Sequence, residues 1–206
     1  MARRAVVLAV TALVAAPVFA GTNAQAAPAA PAEIWTLNNK VSIETYSAKM
    51  KKTLKTSGTS VSQFDTSNGS LTSTVEVAPF KTKLTIGRHP LADVTIVQEP
   101  VGPSTGTLKD LVINTTQKAN IRITRISPAG MPWLNLVNPK TCKTVTTTDI
   151  NVTGKMTNIF EPTTLTGTYT IPKFRGCGPI PGGAIDSIIS DMVSGPGNKV
   201  TMTLTP

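Results

Sequence analysis

The sequence has few of the side chains that catalytic and metal sites use most. It contains one histidine and two cysteines in 206 residues, and only 4% of its residues are aromatic. This inventory excludes a zinc cluster built from several cysteines and histidines, and any metal site with several histidine ligands. Only 15% of the residues are charged. Thr and Val are over-used where a helical bundle would use Ala, Leu, Glu and Lys.

No hydrophobic run is long enough to span a bilayer, but a shorter one lies near the N-terminus. Met1–Arg4 is basic, an apolar run extends from Ala5 to Ala16, and Ala24–Ala26 offers an Ala-x-Ala cleavage site. A membrane-spanning helix needs about 20 apolar residues. The pattern therefore predicts a signal peptide over residues 1–26. We expect a secreted, extracellular protein that has no transmembrane segment once the signal peptide is removed. An alternative is that the secreted protein stays associated with the cell envelope.

Export changes how the remaining charge and the cysteines are interpreted. Without Arg3 and Arg4 the formal charge falls from +9 to +7. Residues 27–33 form an Ala/Pro-rich leader, and we expect residues 34–206 to form a single β domain. In an oxidising compartment, two cysteines are most simply one disulfide, here between Cys142 and Cys177. It would close a loop of about 35 residues.

Threonine is the residue in excess, at 33 positions. From Val41 onward, Thr and other polar residues alternate with Val, Ile and Leu in short segments separated by turn residues. This pattern predicts antiparallel strands whose threonines face outward. Asn68-Gly69 predicts a hairpin turn, and Leu108–Ile113 is expected to be a continuous strand. The spacing predicts an all-β fold, either an antiparallel barrel or a strongly curved sandwich.

One segment near the C-terminus has helical spacing instead. In Ala184–Val193 the apolar residues recur at i, i+3, i+4 and i+7, which predicts a short C-terminal amphipathic helix. We expect it to bury its isoleucine face against the sheet or across an open barrel end. The helix, the disulfide and the apolar run Met131–Val137 are expected to lie together at one end of the domain.

A nucleophilic serine is the sharpest catalytic hypothesis that the sequence offers. Gly102–Gly106 matches Gly-x-Ser-x-Gly around Ser104, a motif that needs a following helix and a downstream histidine. Here a strand is expected to follow, and the sole histidine, His89, lies upstream in a segment expected to be an exposed loop. We therefore predict no catalytic residue, no metal and no cofactor, and place a secreted hydrolase third among the functions. The acidic residues are scattered, and we expect them on solvated strand faces: Glu76, Glu99, Asp110, Asp149, Glu161, Asp186 and Asp191.

The first functional hypothesis is a non-enzymatic one. A barrel of about eight strands can hold a small ligand, which leads us to expect a protein that binds an apolar or lipid-like molecule or associates with the cell envelope. The same inward side chains serve equally well as an ordinary packed core. The candidate lining residues are Leu84, Ile86, Val94, Ile96, Ile121, Ile123, Trp133, Met202 and Leu204.

The second functional hypothesis rests on the positive charge. Lys49, Lys51, Lys52 and Lys55 lie close together, and such a patch can bind an anionic cell-envelope polymer or a protein partner. Nucleic acid is not expected, because interleaved aromatic residues and a known binding module are both missing. Solubility and protection of strand edges explain the same lysines equally well.

Three segments of the C-terminal half resemble a group of small secreted actinobacterial proteins. They are Trp133–Cys142, Leu165–Gly178 and Val193–Pro206. Proteins of that group have a signal peptide, a Thr-rich β domain and two cysteines in the C-terminal half. The resemblance covers residues 130–206, and over residues 41–125 only the rhythm of strands and turns matches. It implies export and a Cys142–Cys177 pair, and it carries over no catalytic residue.

Overall fold

The computed structural model describes residues 33–86, 88–179 and 183–206, without the side chain of Ile86. The predicted signal peptide, residues 1–26, lies outside the described residues, and so does the predicted leader except for Glu33. All of the described residues belong to one unit, Pro31–Pro206.

The described residues form twelve strands and one helix. In chain order they are β1 (Ile34–Ser47), β2 (Lys52–Asp65), β3 (Ser70–Val77), β4 (Phe80–Ile86), β5 (His89–Pro100), β6 (Ser104–Lys109), β7 (Val112–Pro128), β8 (Lys143–Thr144), β9 (Thr148–Lys155), β10 (Thr163–Ile171), β11 (Phe174–Arg175), α1 (Ala184–Val193) and β12 (Gly195–Thr205).

Eight of the strands close into an antiparallel barrel. The ring runs β1, β2, β3, β6, β7, β9, β10 and β12, and β12 pairs back with β1. Strand β7 begins inside the ring, between β6 and β9, and then continues beyond it to pair with β5, which pairs with β4. The predicted all-β fold is confirmed, and of the two expected architectures the chain adopts the barrel.

The alternation expected of half-buried strands is present in β1. Val41 and Ile43 are buried, whereas Ser42 and Glu44 between them are exposed, because successive side chains of a strand point to opposite faces. The prediction that threonines face outward is wrong at several positions, since Thr45, Thr148 and Thr163 are buried. Thr45 tolerates burial because its hydroxyl donates to the carbonyl of Lys199, at 3.0 Å.

The predicted hairpin turn at Asn68-Gly69 is confirmed between β2 and β3. Gly69 adopts a positive φ of 75°, a conformation that glycine reaches without steric cost. Asp65 organises the turn, because its carboxylate accepts hydrogen bonds from the hydroxyl and the backbone N–H of Ser67, at 2.6 and 2.9 Å. These bonds to Ser67 hold the pKa of Asp65 below its ordinary value.

The expectation of one continuous strand over Leu108–Ile113 is wrong. Strand β6 ends at Lys109 and β7 begins at Val112, so Asp110 and Leu111 form a two-residue turn. Both have positive φ values, 51° and 62°, which is the backbone of the hairpin turns that match strand twist. The sequence gives no sign of it, because leucine rarely adopts this conformation.

Glycine allows neighbouring strands of the small barrel to approach closely. A Cβ atom added to Gly58 in β2 would lie 1.9 Å from the carbonyl oxygen of Glu76 in β3. A Cβ added to Gly167 in β10 would lie at the same distance from the carbonyl oxygen of Asn151 in β9. Any other residue at these two positions would force the paired strands apart.

Helix α1 spans Ala184–Val193, as predicted. The face that it buries differs from the expected one, however. The buried residues are Asp186, Ile189, Ser190 and Val193, whereas Ile188 is 57% exposed. The helix is therefore rotated so that a mixed polar and apolar face packs inward.

Polar side chains of this face hold the helix to the segment before it. The Asp186 carboxylate accepts hydrogen bonds from the backbone N–H groups of Cys177 and Gly176, at 2.7 and 3.0 Å. Ser190 Oγ accepts from the N–H of Phe174, at 2.9 Å. The expectation that Asp186 lies on a solvated face is therefore wrong, because its carboxylate satisfies buried backbone donors.

The predicted disulfide between Cys142 and Cys177 is present. Next to it, the N–H of Asn138 donates to the carbonyl of Cys177, at 2.9 Å. The end of the Met131–Val137 run, the disulfide and the segment that holds α1 therefore lie together, as expected. Val137 is buried in the core.

Candidate functional site

The interior of the barrel contains a cavity of about 130 Å³. Most of its walls are aliphatic, and Ile43 of β1, Leu165 of β10 and Val200 of β12 are among the buried side chains that form them. These residues point inward because they occupy alternate positions of strands whose other face meets solvent.

Elements outside the eight-strand ring close one end of the cavity. Phe80 of β4, Ile96 of β5 and Val193 of α1 line the cavity and are buried. They reach it at the end where β1 finishes, since Ser47 and Met50 also line the cavity there. The helix and the two outer strands thus form the floor of the barrel.

The opposite end, where β1 begins and β12 finishes, is the mouth. The lining residues Leu37, Ile159 and Leu204 are only half-buried there, and Glu161 and Pro206 are exposed. A cavity with a buried floor and a half-exposed rim is open to a ligand from one side.

Large apolar side chains surround this mouth. Ile34 lies at the start of β1, Leu111 lies in the turn between β6 and β7, and Phe160 lies in the loop between β9 and β10. All three are exposed, and Phe160 is 82% exposed. Exposed apolar groups around a cavity mark a surface that apolar molecules can contact before they enter.

Part of the cavity wall is polar. Ser60 and Ser62 of β2, Ser73 of β3, Ser104 of β6 and Gln117 of β7 all line the cavity and are buried. Sequence reasoning predicted none of these residues as cavity lining, and it considered Ser104 only as a nucleophile. The signal was available on β3, where Ser73 has the same alternation phase as Leu71 and Val75, but a serine in a Thr-rich chain does not stand out.

A phenol also reaches the cavity. The Tyr169 hydroxyl lies 2.6 Å from Thr45 Oγ1, and Tyr169 lines the cavity. Burial raises the pKa of Tyr169 above its ordinary value, although the hydrogen bond between its hydroxyl and that of Thr45 opposes this shift. Tyr169 is therefore neutral at physiological pH.

Of the nine residues predicted to line a cavity, four do so in the structure. Ile96, Ile121, Met202 and Leu204 line it. Val94 and Ile123 are instead buried in the core, and Leu84 packs half-buried against it. Trp133 is 78% exposed, and the side chain of Ile86 is not described.

The four predicted anionic-surface lysines lie around the β1–β2 turn, at the floor end of the barrel. Lys49 and Lys51 are exposed. Lys55 forms an ion pair with Glu44, and the Lys52 amino group donates to the carbonyl of Lys83. The patch therefore lies at the end opposite the mouth.

The structure does not bring Ser104 and His89 together. Ser104 is buried and lines the cavity, whereas His89 is exposed at the start of β5, in a strand rather than in the expected loop. At about 3.3 Å per residue, β5 places His89 about 35 Å from Pro100 at its other end, close to Ser104 in sequence. This separation is far beyond hydrogen-bond reach.

Neither a metal centre nor a membrane-spanning helix is found in the part of the chain that the structure describes. Within residues 33–86, 88–179 and 183–206, no three His, Cys, Asp or Glu side chains lie close enough together to hold a metal ion. In the same ranges no helix has the length and apolar character needed to cross a bilayer.

Comparisons with protein-family models, with curated proteins and with solved structures found no match to this chain. The cavity is therefore interpreted from its own residues.

Proposed function

We propose that the protein is an exported, non-enzymatic binding protein that holds a small apolar or lipid-like molecule inside its barrel. The observation that carries the proposal is the aliphatic cavity with a buried floor and a half-exposed mouth. The signal peptide predicted over residues 1–26 supports export, and the disulfide between Cys142 and Cys177 suits an oxidising compartment.

The size of the cavity limits the ligand. Sites for drug-sized molecules measure about 300–1,000 Å³, whereas an apolar cavity of about 150 Å³ takes up a single benzene molecule. At about 130 Å³, this cavity suits one slender group, such as a short alkyl chain. A longer molecule would leave its remaining part outside the mouth, against the exposed apolar side chains there.

The first test uses benzene as a small apolar probe. A ligand at ten times its Kd stabilises the folded state by about 1.4 kcal/mol, which raises the Tm of a domain of this size by about 3–6 °C. We expect this rise in a thermal unfolding scan of the wild-type chain. A Tm that does not change at saturating benzene would contradict the proposal.

Two neighbouring substitutions show whether the probe occupies the cavity. Leu37 lines the mouth, and Asn38 beside it is exposed on the outer face of β1. We expect Leu37→Trp to abolish most of the rise, because the larger ring obstructs the mouth. Asn38→Trp should keep the rise. An equal rise in both variants would place the probe elsewhere on the protein.

The second test looks for the natural ligand. The chain is expressed with its signal peptide in an actinobacterial host, collected under mild conditions and analysed by native mass spectrometry. We expect a mass above that of the processed polypeptide, and removal of the extra mass by organic extraction. A bare polypeptide mass would count against a ligand retained in the barrel.

A second candidate function rests on the lysine patch. Lys49 and Lys51 are exposed at the floor end, where they can contact an anionic cell-envelope polymer without obstructing the mouth. We expect retention on purified cell wall that weakens as salt rises from low to high concentration, because exposed charges are screened. The double variant Lys49→Gln, Lys51→Gln should lose this retention, whereas salt-independent retention would argue against an electrostatic partner.

A further inference from the structure

A row of hydroxyl groups crosses the inner wall of the barrel. Ser62 of β2 is paired with Ser73 of β3, and Ser73 is paired with Ser104 of β6. Directly paired residues of neighbouring strands place their side chains side by side on the same face. All three serines are buried and line the cavity, so their hydroxyl groups form one polar row. On β3 the row lies between Leu71 and Val75, which share the face of Ser73 and also line the cavity.

The row has spare hydrogen-bonding capacity. Ser62 Oγ donates to Ser73 Oγ, at 2.9 Å. This bond uses one of the two hydroxyl protons of the pair. The second proton can be donated to an oxygen atom inside the cavity.

Gln117 extends the row and adds an acceptor. Thr105 is paired with Thr116, and the next step of this register places Ser104 opposite Gln117. The Gln117 Nε2 group donates to the carbonyls of Gly102 and Lys118, at 3.1 and 2.8 Å, which fixes the orientation of the amide. Its Oε1 atom is buried without a hydrogen-bond partner, in a residue that is only 9% exposed and lines the cavity.

A ligand that donates a hydrogen bond to Gln117 Oε1 would satisfy this buried acceptor, because buried polar groups are normally hydrogen-bonded. The spare serine proton can be donated to an oxygen atom of the same ligand. An alcohol supplies both from a single atom.

The lining also indicates the charge of the ligand. Among the described residues that line the cavity, the ionisable side chains are Glu161, which is exposed at the mouth, and the neutral Tyr169. Burial of an ionised group without an opposite charge is very costly. A carboxylate or ammonium group would therefore find no partner at the polar row.

The chain that follows the polar group would meet aliphatic side chains. In the strand register, Leu37 is paired with Ser62 at one end of the row, and Ile150 is paired with Gln117 at the other. Both line the cavity. The row is therefore a polar stripe within an apolar wall.

We propose that the barrel selects a neutral alcohol with a short alkyl chain, whose hydroxyl group donates to Gln117 Oε1 and accepts from the serine row. This inference rests on the proposed function, since it names the ligand class of the same cavity. The alkyl chain lies against the aliphatic wall and extends toward the mouth.

The test compares three probes with the wild-type chain by isothermal titration. They are n-hexanol, its isomer butyl ethyl ether, which has no hydroxyl proton, and hexanoate at neutral pH. We expect measurable binding of the alcohol and of the ether, and much weaker binding of hexanoate. Hexanoate that binds as tightly as n-hexanol would overturn the assignment of a neutral ligand.

The substitutions then separate the hydrogen bonds from the cavity itself. Gln117→Leu keeps a similar side-chain volume without the acceptor, and Ser104→Ala removes one hydroxyl of the row. In Gln117→Leu we expect the Kd of n-hexanol to rise about 2- to 12-fold, the equivalent of one hydrogen bond, and the Kd of the ether, which has no proton to donate, to change less than twofold. In Ser104→Ala we expect both constants to rise by about that factor, because the oxygen of either probe can accept from the row. Ser42→Ala, on the exposed face of β1, is the control and should change neither constant.

The outcomes distinguish this inference from the proposed function. Equal weakening of the alcohol and the ether in Gln117→Leu, or unchanged constants for both in Ser104→Ala, would overturn the polar row as the recognition element, while the cavity would still be a binding site. If neither probe binds the wild-type chain, the proposed function fails and the ligand class fails with it. Should Gln117→Leu unfold, because it also loses the bonds to Gly102 and Lys118, Ser104→Ala alone decides, since it disturbs no backbone contact.

Discussion

The buried carboxylate of Asp186 gives the most direct test of how helix α1 is held on the barrel. Asp186 is 3% exposed, and it accepts hydrogen bonds from the N–H groups of Cys177 and Gly176, at 2.7 and 3.0 Å. Replacement by alanine removes both bonds and leaves two backbone donors without these partners.

The magnitude follows from the type of bond. A hydrogen bond to a charged group contributes about 1.5–3 kcal/mol, so two contribute about 3–6 kcal/mol. Part of this is offset, because alanine also removes the cost of burying a carboxylate. We therefore expect Asp186→Ala to lower the free energy of unfolding by about 3 kcal/mol, and Asp186→Asn, which keeps one acceptor oxygen, by about half as much.

The assay is urea unfolding followed by circular dichroism, with Asp191→Ala as the matched control. Asp191 lies in the same helix and is exposed, so its replacement should change the free energy of unfolding by less than about 0.5 kcal/mol. If Asp186→Ala were no more destabilising than Asp191→Ala, the carboxylate would not fasten the helix, and the reasoning from its two backbone bonds would be refuted.

Three further predictions concern the barrel and its cross-link. Gly58→Ala should lower the free energy of unfolding in urea by about 2–3 kcal/mol, because its Cβ would lie 1.9 Å from the Glu76 carbonyl oxygen and overpacking costs about that much. The control, Ser57→Ala at an exposed position, should be nearly neutral, and a Gly58→Ala variant more stable than the wild type would contradict the close approach of β2 and β3. Burial raises the pKa of Tyr169 above its ordinary value of 10.0, so the folded state keeps a proton that the unfolded chain loses, and stability should fall as pH rises above about 10. Tyr169→Phe should reduce that alkaline slope, with Tyr46→Phe as the control for loss of an exposed phenol; an unchanged slope in Tyr169→Phe would assign the effect to other groups. Reduction of the disulfide, which spans 35 residues, should lower the free energy of unfolding by about 3–4 kcal/mol, and equal midpoints with and without reductant would show that the cross-link does not stabilise the fold.

Local patterns predicted the elements whose formation depends on neighbouring residues. The Asn68-Gly69 turn and the bounds of α1 follow from short-range conformational preferences, and both are present. The turn at Asp110 and Leu111 was not predicted, because the two-residue hairpin between β6 and β7 imposes a backbone conformation that leucine seldom adopts.

The candidate site was predicted only in part. A pattern of alternating hydrophobic residues indicates which apolar side chains face inward, but it does not indicate which polar side chains do so. Ile96, Ile121, Met202 and Leu204 were predicted from alternation, and they line the cavity. The serine row and Gln117 have the same inward phase, but a polar residue in a strand is normally assigned to the solvent face. The burial of Asp186 was missed for the same reason.

Strand character, the Asn68-Gly69 turn, the helix and the pairing of the two cysteines could all be predicted without the fold, because each depends on local preference or on simple counting. Closure of the sheet, the strands that extend beyond the ring and the side chains that meet at its centre depend on long-range pairing. Closure pairs Lys40 of β1 with Thr205 of β12. These two residues are far apart in the sequence, so no local pattern specifies their contact. The cavity and its polar row exist only because such distant strands meet.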